Sequence, residues 1–141
     1  MTFKKFLEKL FSLDNLKFSR IVIKKEVIDN ICYFARANYP NEFIALLEGD
    51  VKDRILFIHG LIYQPFSKSR HAASISVGMS APSNYVGSVH SHPSRNSIPS
   101  GTDLASFNKR GAVHLIINYP YTPENIKGYD FNGNAVGFEV L

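Results

Sequence analysis

Residues 84–93 read Asn84-Tyr-Val-Gly-Ser-Val-His-Ser-His-Pro93, and the rest of the chain is best read outward from this stretch. It predicts a β-strand ending at His92, because proline has no N–H for a ladder and stops pairing there. Successive strand side chains alternate between faces, so His90 and His92, two apart, leave the same face at the strand's end. Downstream, Ala112-Val-His-Leu-Ile-Ile-Asn118 is a near-continuous apolar run suited to a strand covered on both faces. Phe43-Ile-Ala-Leu-Leu47 has the same character, and Arg20-Ile-Val-Ile23 is a short β-branched strand. A turn at Gly49 and Asp50 is expected to feed a long strand over Arg54–Tyr63. A further strand falls near Ser74–Gly78, after a polar loop at 64–72. The last segment predicts a hairpin, Gly128–Phe131 against Ala135–Leu141 across Asn132-Gly133-Asn134.

Helical spacing appears in three places. Over 24–38, Val27, Ile28, Ile31, Cys32 and Ala35 form an inward stripe, and Pro40 ends it. Leu104–Lys109 predicts a short helix. Phe3, Phe6, Leu7, Leu10 and Phe11 recur at helical intervals, with Lys4, Lys5, Glu8 and Lys9 on the other face. An amphipathic helix over 1–18 therefore precedes a single domain over 19–141. A basic amphipathic helix can lie on a membrane surface or dock on a partner; packing on its own domain or on a second copy of the chain is the favoured reading, so a homodimer is among the expected partners. The lysines interrupt any apolar core that a signal peptide would need. The fold class is α/β (α+β-like): a mixed, largely antiparallel sheet flanked by two to three helices.

Composition narrows the function classes. The chain has 141 residues, enough for one domain with its own core. Lys plus Arg is 16 and Asp plus Glu 12, a difference of +4. These basic residues are dispersed rather than gathered in a stripe, which argues against nucleic acid. No stretch approaches the roughly 18 apolar residues of a membrane span. The one cysteine, Cys32, excludes an intrachain disulfide and reads as a core residue; a reducing, cytoplasmic setting is expected.

Two imidazoles converging at a strand end suit a divalent metal. Asp103 follows His92 by eleven residues, in Ser100-Gly-Thr-Asp103, close enough for its carboxylate to fold back. Three protein ligands with an open fourth position make a catalytic zinc site, whereas structural sites close with four. Ser100 and Asp103 also read as a helix capping box. Hydrolysis at a metal needs a carboxylate base outside the ligand set. Glu42 is the candidate, at the start of an apolar strand; Glu48 reads as a solvated turn residue. His114 reads as a hydrogen-bonded interior or supporting residue, His59 as packing, and His71 as solvated. Arg95 and Asn96 lie between the ligands, within reach of a substrate tail.

Glu42, the sequence His90-Ser91-His92-Pro93, and Ser100 and Asp103 at eight and eleven residues beyond His92 together resemble the motif of the JAMM (MPN) metalloprotease family. The likeness runs from about residue 20 to the C-terminus and is closest to short, stand-alone archaeal members. It implies an MPN, cytidine-deaminase-like fold and a zinc-dependent isopeptidase. The substrate bond would join the C-terminus of a ubiquitin-like modifier to a lysine of its conjugate, with the tail extended along a strand edge. It implies that His90, His92 and Asp103 bind one zinc. Glu42 would move the proton of the attacking water to the leaving amine, and Ser100 would hydrogen-bond the oxyanion. The same chemistry serves processing of a ubiquitin-like sulfur-carrier protein. A non-catalytic MPN binding module and a non-haem iron oxygenase are the readings from other classes.

Overall fold

Strand β1 (Arg20–Ile23) forms over the β-branched run that the sequence marks, with Ile21, Val22 and Ile23 buried. The protein is described from a computed structural model covering residues 17–63, 85–107 and 111–141. The expected strand near Ser74–Gly78, His71, Asn84, residues 1–16 of the expected amphipathic helix and residues 108–110 lie outside the described residues.

Helix α1 (Lys25–Asn38) buries Val27, Ile28, Ile31, Cys32 and Ala35, the stripe its periodicity predicts, and turns its charges outward. Strands β2 (Ile44–Lys52) and β3 (Ile55–Ile62) form a hairpin. The turn lies at Asp53 and Arg54, both at positive φ (54° and 62°), as the two-residue turn of a twisted hairpin requires. The expected turn at Gly49 and Asp50 is therefore corrected: both residues lie inside β2. Gly49 sits at a register shift where a Cβ would run into the Phe57 carbonyl, so this glycine marks a close approach of strands.

Strand β4 (Tyr85–His92) carries the two histidines. Helix α2 (Gly101–Phe107) follows, then β5 (Val113–Asn118), a 3-10 turn (Pro123–Asn125), β6 (Ile126–Asp130), β7 (Ala135–Val136) and β8 (Glu139–Val140). Helix α2 begins three residues earlier than Leu104, because the Ser100–Asp103 cap starts it at Gly101.

The described residues form one eight-stranded mixed sheet in the order β7-β6-β5-β4-β2-β3-β1-β8. Pairs β2–β3, β2–β4, β5–β6 and β6–β7 are antiparallel; β1–β3, β1–β8 and β4–β5 are parallel. The terminal hairpin is shorter than expected. Only β7 pairs with β6, while β8 crosses to β1 at the other end of the strand order. Two residues, Gly137 and Phe138, join these opposite edges. A span that short reaches only about 7–11 Å, so the sheet must curl until its edges nearly meet. A bidentate contact from Arg20 to Glu139 (2.9 and 3.1 Å) lies across the β1–β8 join, exposed and worth little by itself.

In the curled sheet, Ile44–Leu47 of β2 and all of β5 are buried, as expected of strands covered on both faces. Cys32 belongs to this core; burial pushes its thiol pKa up, so it is an apolar filler and no nucleophile. Among the described residues no helix is long and apolar enough to cross a membrane.

Candidate metal centre

The site stands where β4 ends. Strand β4 pairs with β2 on one side and β5 on the other, which holds its last residues rigidly. His90 is buried and pairs with Ile44 of β2. Past that pair, Phe43 N–H donates to Ser91 Oγ (2.8 Å) and Phe43 O accepts from Ser91 N–H (2.9 Å). The chain opens beyond His92.

His90, His92 and Asp103 converge as a set, with one ligand atom from each lying within 4.8 Å of the others. His90 Nε2 lies 3.1 Å from His92 Nε2. Asp103 places Oδ1 3.0 Å from His90 Nε2 and Oδ2 3.1 Å from His92 Nε2. Two ligand atoms on a tetrahedral zinc lie about 3.3 Å apart, given bonds of about 2.0–2.1 Å. The donor set therefore fits zinc in its chemistry, and the two imidazole nitrogens, 3.1 Å apart, fit it in their spacing as well. His92 Nδ1 approaches Asn96 O at 3.3 Å; that carbonyl can only accept, so it keeps the proton on Nδ1 and leaves Nε2 for a metal.

Asp103 comes from α2. Its Oδ2 accepts from Ser100 N–H (2.8 Å), and its own N–H donates to Ser100 Oγ (3.1 Å). The expected capping box and the expected ligand are thus the same carboxylate. Ser100 Oγ has spent an acceptor lone pair on this cap; among the described residues its O–H donates to no protein group.

Burial acts to raise the Asp103 pKa, but hydrogen bonds from His90 and His92 and the Ser100 N–H outweigh it. The carboxyl is held well below the usual carboxylate range. For His92, burial acts downward, and Asp103, then the Asn96 carbonyl and Glu42, outweigh it and raise its pKa above the ordinary 6.5. The signs give a prediction. In the zinc-free chain, His92 contributes stability that is present below about pH 6.5 and is lost as pH rises through the raised value. Asp103 contributes above about pH 3.9, losing it only as pH falls through its depressed value. Zinc must displace the His92 proton, so its affinity runs the other way and weakens on acidification. The thermal shift on adding zinc should therefore grow from about pH 6 to pH 8; a shift that is flat or shrinks over this range would contradict the assignment of His92.

Glu42 lies in the connection between α1 and β2 and is exposed, so burial places no cost on its charge. This corrects the expectation that Glu42 starts the strand: β2 begins at Ile44. Its position comes from register. Phe43 faces Ser91, so Glu42 falls opposite His92, and its charge acts on both His92 and Tyr121. Burial above all, and then Tyr39 and Glu42, raise the Tyr121 pKa and keep this phenol a neutral donor; it donates to His92 O (3.2 Å).

Two other histidines resolve differently. His114 is fully buried: Nε2 donates to Gly111 O (3.0 Å), Nδ1 lies 2.8 Å from Ser88 Oγ, and the ring stacks on Phe107 (4.4 Å, 2°). It is the expected hydrogen-bonded interior residue. His59 does not pack, contrary to expectation. The register passes from Ile58 opposite Gly49 to Gly60 opposite Glu48, so His59 is the extra residue of a bulge. It turns out to solvent near Glu48 (3.8 Å) and Asp50 (3.5 Å). Glu48 is likewise a strand residue and not a turn residue. The sequence reading missed Tyr121 and Tyr129, whose hydroxyls reach backbone carbonyls around the site; no spacing rule marks a tyrosine for such a bond.

A curled mixed sheet with a part-buried His-His-Asp donor set at a strand end defines a single-zinc metalloprotease domain of the JAB/MPN class. Residues 24–130 match the family model of prokaryotic homologs of the JAB domain, and the chain belongs to that family. It is 30% identical over 131 residues to a probable metalloprotease of Haloferax volcanii, covering 84% of this chain and 78% of that one. A crystal structure of a JAB1/MPN domain protein from Archaeoglobus fulgidus superposes with a TM-score of 0.67 at 36% identity, covering 84% of this chain and 97% of the other. A structure described as a metalloprotease-like zinc site in the proteasome and signalosome gives 0.66 at 31%, covering 87% and 99%.

Proposed function

We propose that the protein is a zinc-dependent isopeptidase that cleaves the bond between the C-terminus of a ubiquitin-like modifier and a lysine of a target protein. The observation that carries this reading is the convergence of His90, His92 and Asp103 at the open end of β4, with Glu42 in register opposite His92. His90 and His92 through Nε2, and Asp103 through its carboxylate, would hold the metal. Zinc, when bound, supplies Lewis acidity and lowers the pKa of water towards about 7.

The remaining work belongs to the chain. Glu42 is exposed and falls opposite His92, where it takes a proton from the attacking water and returns it to the leaving lysine amine. Water adds its oxygen to the carbonyl carbon, the C–N bond breaks, and a free carboxylate and amine result. Ser100 turns its remaining O–H to the oxygen on which negative charge develops. Strand β4 is paired on both sides, so an extended modifier tail does not add to that strand and must run past its end. Arg95, stacked over Tyr119 at 5.3 Å, lies on the loop such a tail would follow.

The test is incubation of the zinc-loaded protein with isopeptide conjugates and linear fusions of ubiquitin-like proteins, scored by new amine and intact modifier. Cleavage of the isopeptide conjugates supports the proposal. Cleavage of linear fusions alone assigns it to carrier-protein processing, and binding without cleavage to a binding module. Ser100→Ala should lower turnover by about 10²–10³-fold with zinc retained. The cap it also loses is worth about 1 kcal/mol; a variant that melts earlier but turns over normally would leave Ser100 as a cap alone.

A further inference from the structure

Beneath the metal ligands lies a row of side chains that the proposed chemistry does not use. Ser88 of β4, His114 of β5 and Tyr129 of β6 are successive cross-strand partners, so they share one face of the sheet. Ser88 and His90 are two apart on β4, which places the row on the face of the metal histidines, one step back from the strand end. The row is tied together: Ser88 Oγ lies 2.8 Å from His114 Nδ1, and His114 Nε2 donates to Gly111 O at 3.0 Å.

Two parts of the site rest on this row. Phe107 of α2 is 1% exposed and lies parallel to the His114 ring at 4.4 Å, with the Tyr129 ring at 6.3 Å. Phe107 and Asp103 are four apart on α2 and therefore share its inner face. The second part is the loop between His92 and Asp103. Tyr129 Oη donates to Ser97 O at 2.8 Å, a full-strength hydroxyl bond to a buried residue in the middle of that loop. Asp103 thus depends on the row through its helix, and the loop that carries Asn96 and Ser100 depends on it through one phenol.

We infer that Tyr129 is a positioning residue for the metal centre: its bond to Ser97 O, with the His114–Phe107 stack, docks the ligand loop and α2 so that Asp103 meets His90 and His92 in place. The inference rests on the zinc reading above. It has a physical reason, because a carboxylate delivered from the first turn of a helix has no regular strand to fix it. Ordering the loop before the metal arrives removes that entropy from the binding step.

Tyr129→Phe tests this, since it keeps the ring against Phe107 and deletes only the donor to Ser97. Zinc affinity is measured by competition with a chromophoric chelator at a temperature well below melting. Tyr33→Phe, an exposed tyrosine of α1, serves as the control. The expected result is a zinc dissociation constant raised about 10-fold or more in Tyr129→Phe and unchanged in Tyr33→Phe. The zinc-free melting temperature should fall by only a few degrees. An unchanged zinc affinity, with or without a lower melting temperature, overturns the inference and leaves Tyr129 a packing residue. A wild-type chain that binds no zinc overturns this inference and the zinc reading together.

Discussion

Glu42→Gln should abolish hydrolysis while zinc stays bound. The substitution keeps the shape and the exposed position of the side chain and removes only its ability to accept a proton. General-base contributions of this kind are worth about 10²–10⁴-fold, and turnover should fall by at least that much. The three metal-facing atoms come from His90, His92 and Asp103, so zinc content should match the wild type. Glu42 is exposed and lies in a connection, so melting should also be unchanged. Measured turnover within a few-fold of wild type would remove Glu42 from the mechanism. Loss of zinc together with activity would make it a ligand instead.

Removing Asp103 should have the largest effect on the metal. Asp103 serves both histidines and the Ser100 N–H, and two substitutions separate those duties. Asp103→Ala loses the ligand and the cap; Asp103→Asn keeps an acceptor for the Ser100 N–H but loses the charge. Both should weaken zinc by more than the 10–100-fold that loss of a supporting hydrogen bond costs. Only the alanine variant should also lose the capping contribution of about 1 kcal/mol. Comparable zinc affinity in Asp103→Asn and the wild type would mean the carboxylate charge is not needed, and the ligand assignment would fail.

The contrast between what was legible in the sequence and what was not has a physical pattern. Strand β1, the stripe of α1 and the end of β4 follow from local rules: β-branched runs, helical spacing, and a proline that cannot pair. The metal set was legible because His90, His92 and Asp103 are fixed in spacing by one strand and one loop. What escaped depends on partners far away in the chain. His59 has strand alternation in its sequence, and only a register shift against β2 turns it outward. Glu139 and Val140 look like the continuation of a hairpin; they leave it because the curled sheet brings the β1 edge within two residues' reach. Gly49 resembles a turn residue until the Phe57 carbonyl is seen beside it. Glu42 is exposed just before the strand it was expected to open, and its place opposite His92 follows from the pairing of Phe43 with Ser91. Tyr129 carries no local signal, because its partner Ser97 is brought to it by the fold.

Elemental analysis of the purified wild-type chain beside His92→Ala tests the central claim most directly. About one zinc is expected per wild-type chain, with none retained by the variant. Zinc bound equally by both, or a wild-type chain that takes up no zinc on reconstitution, would contradict it.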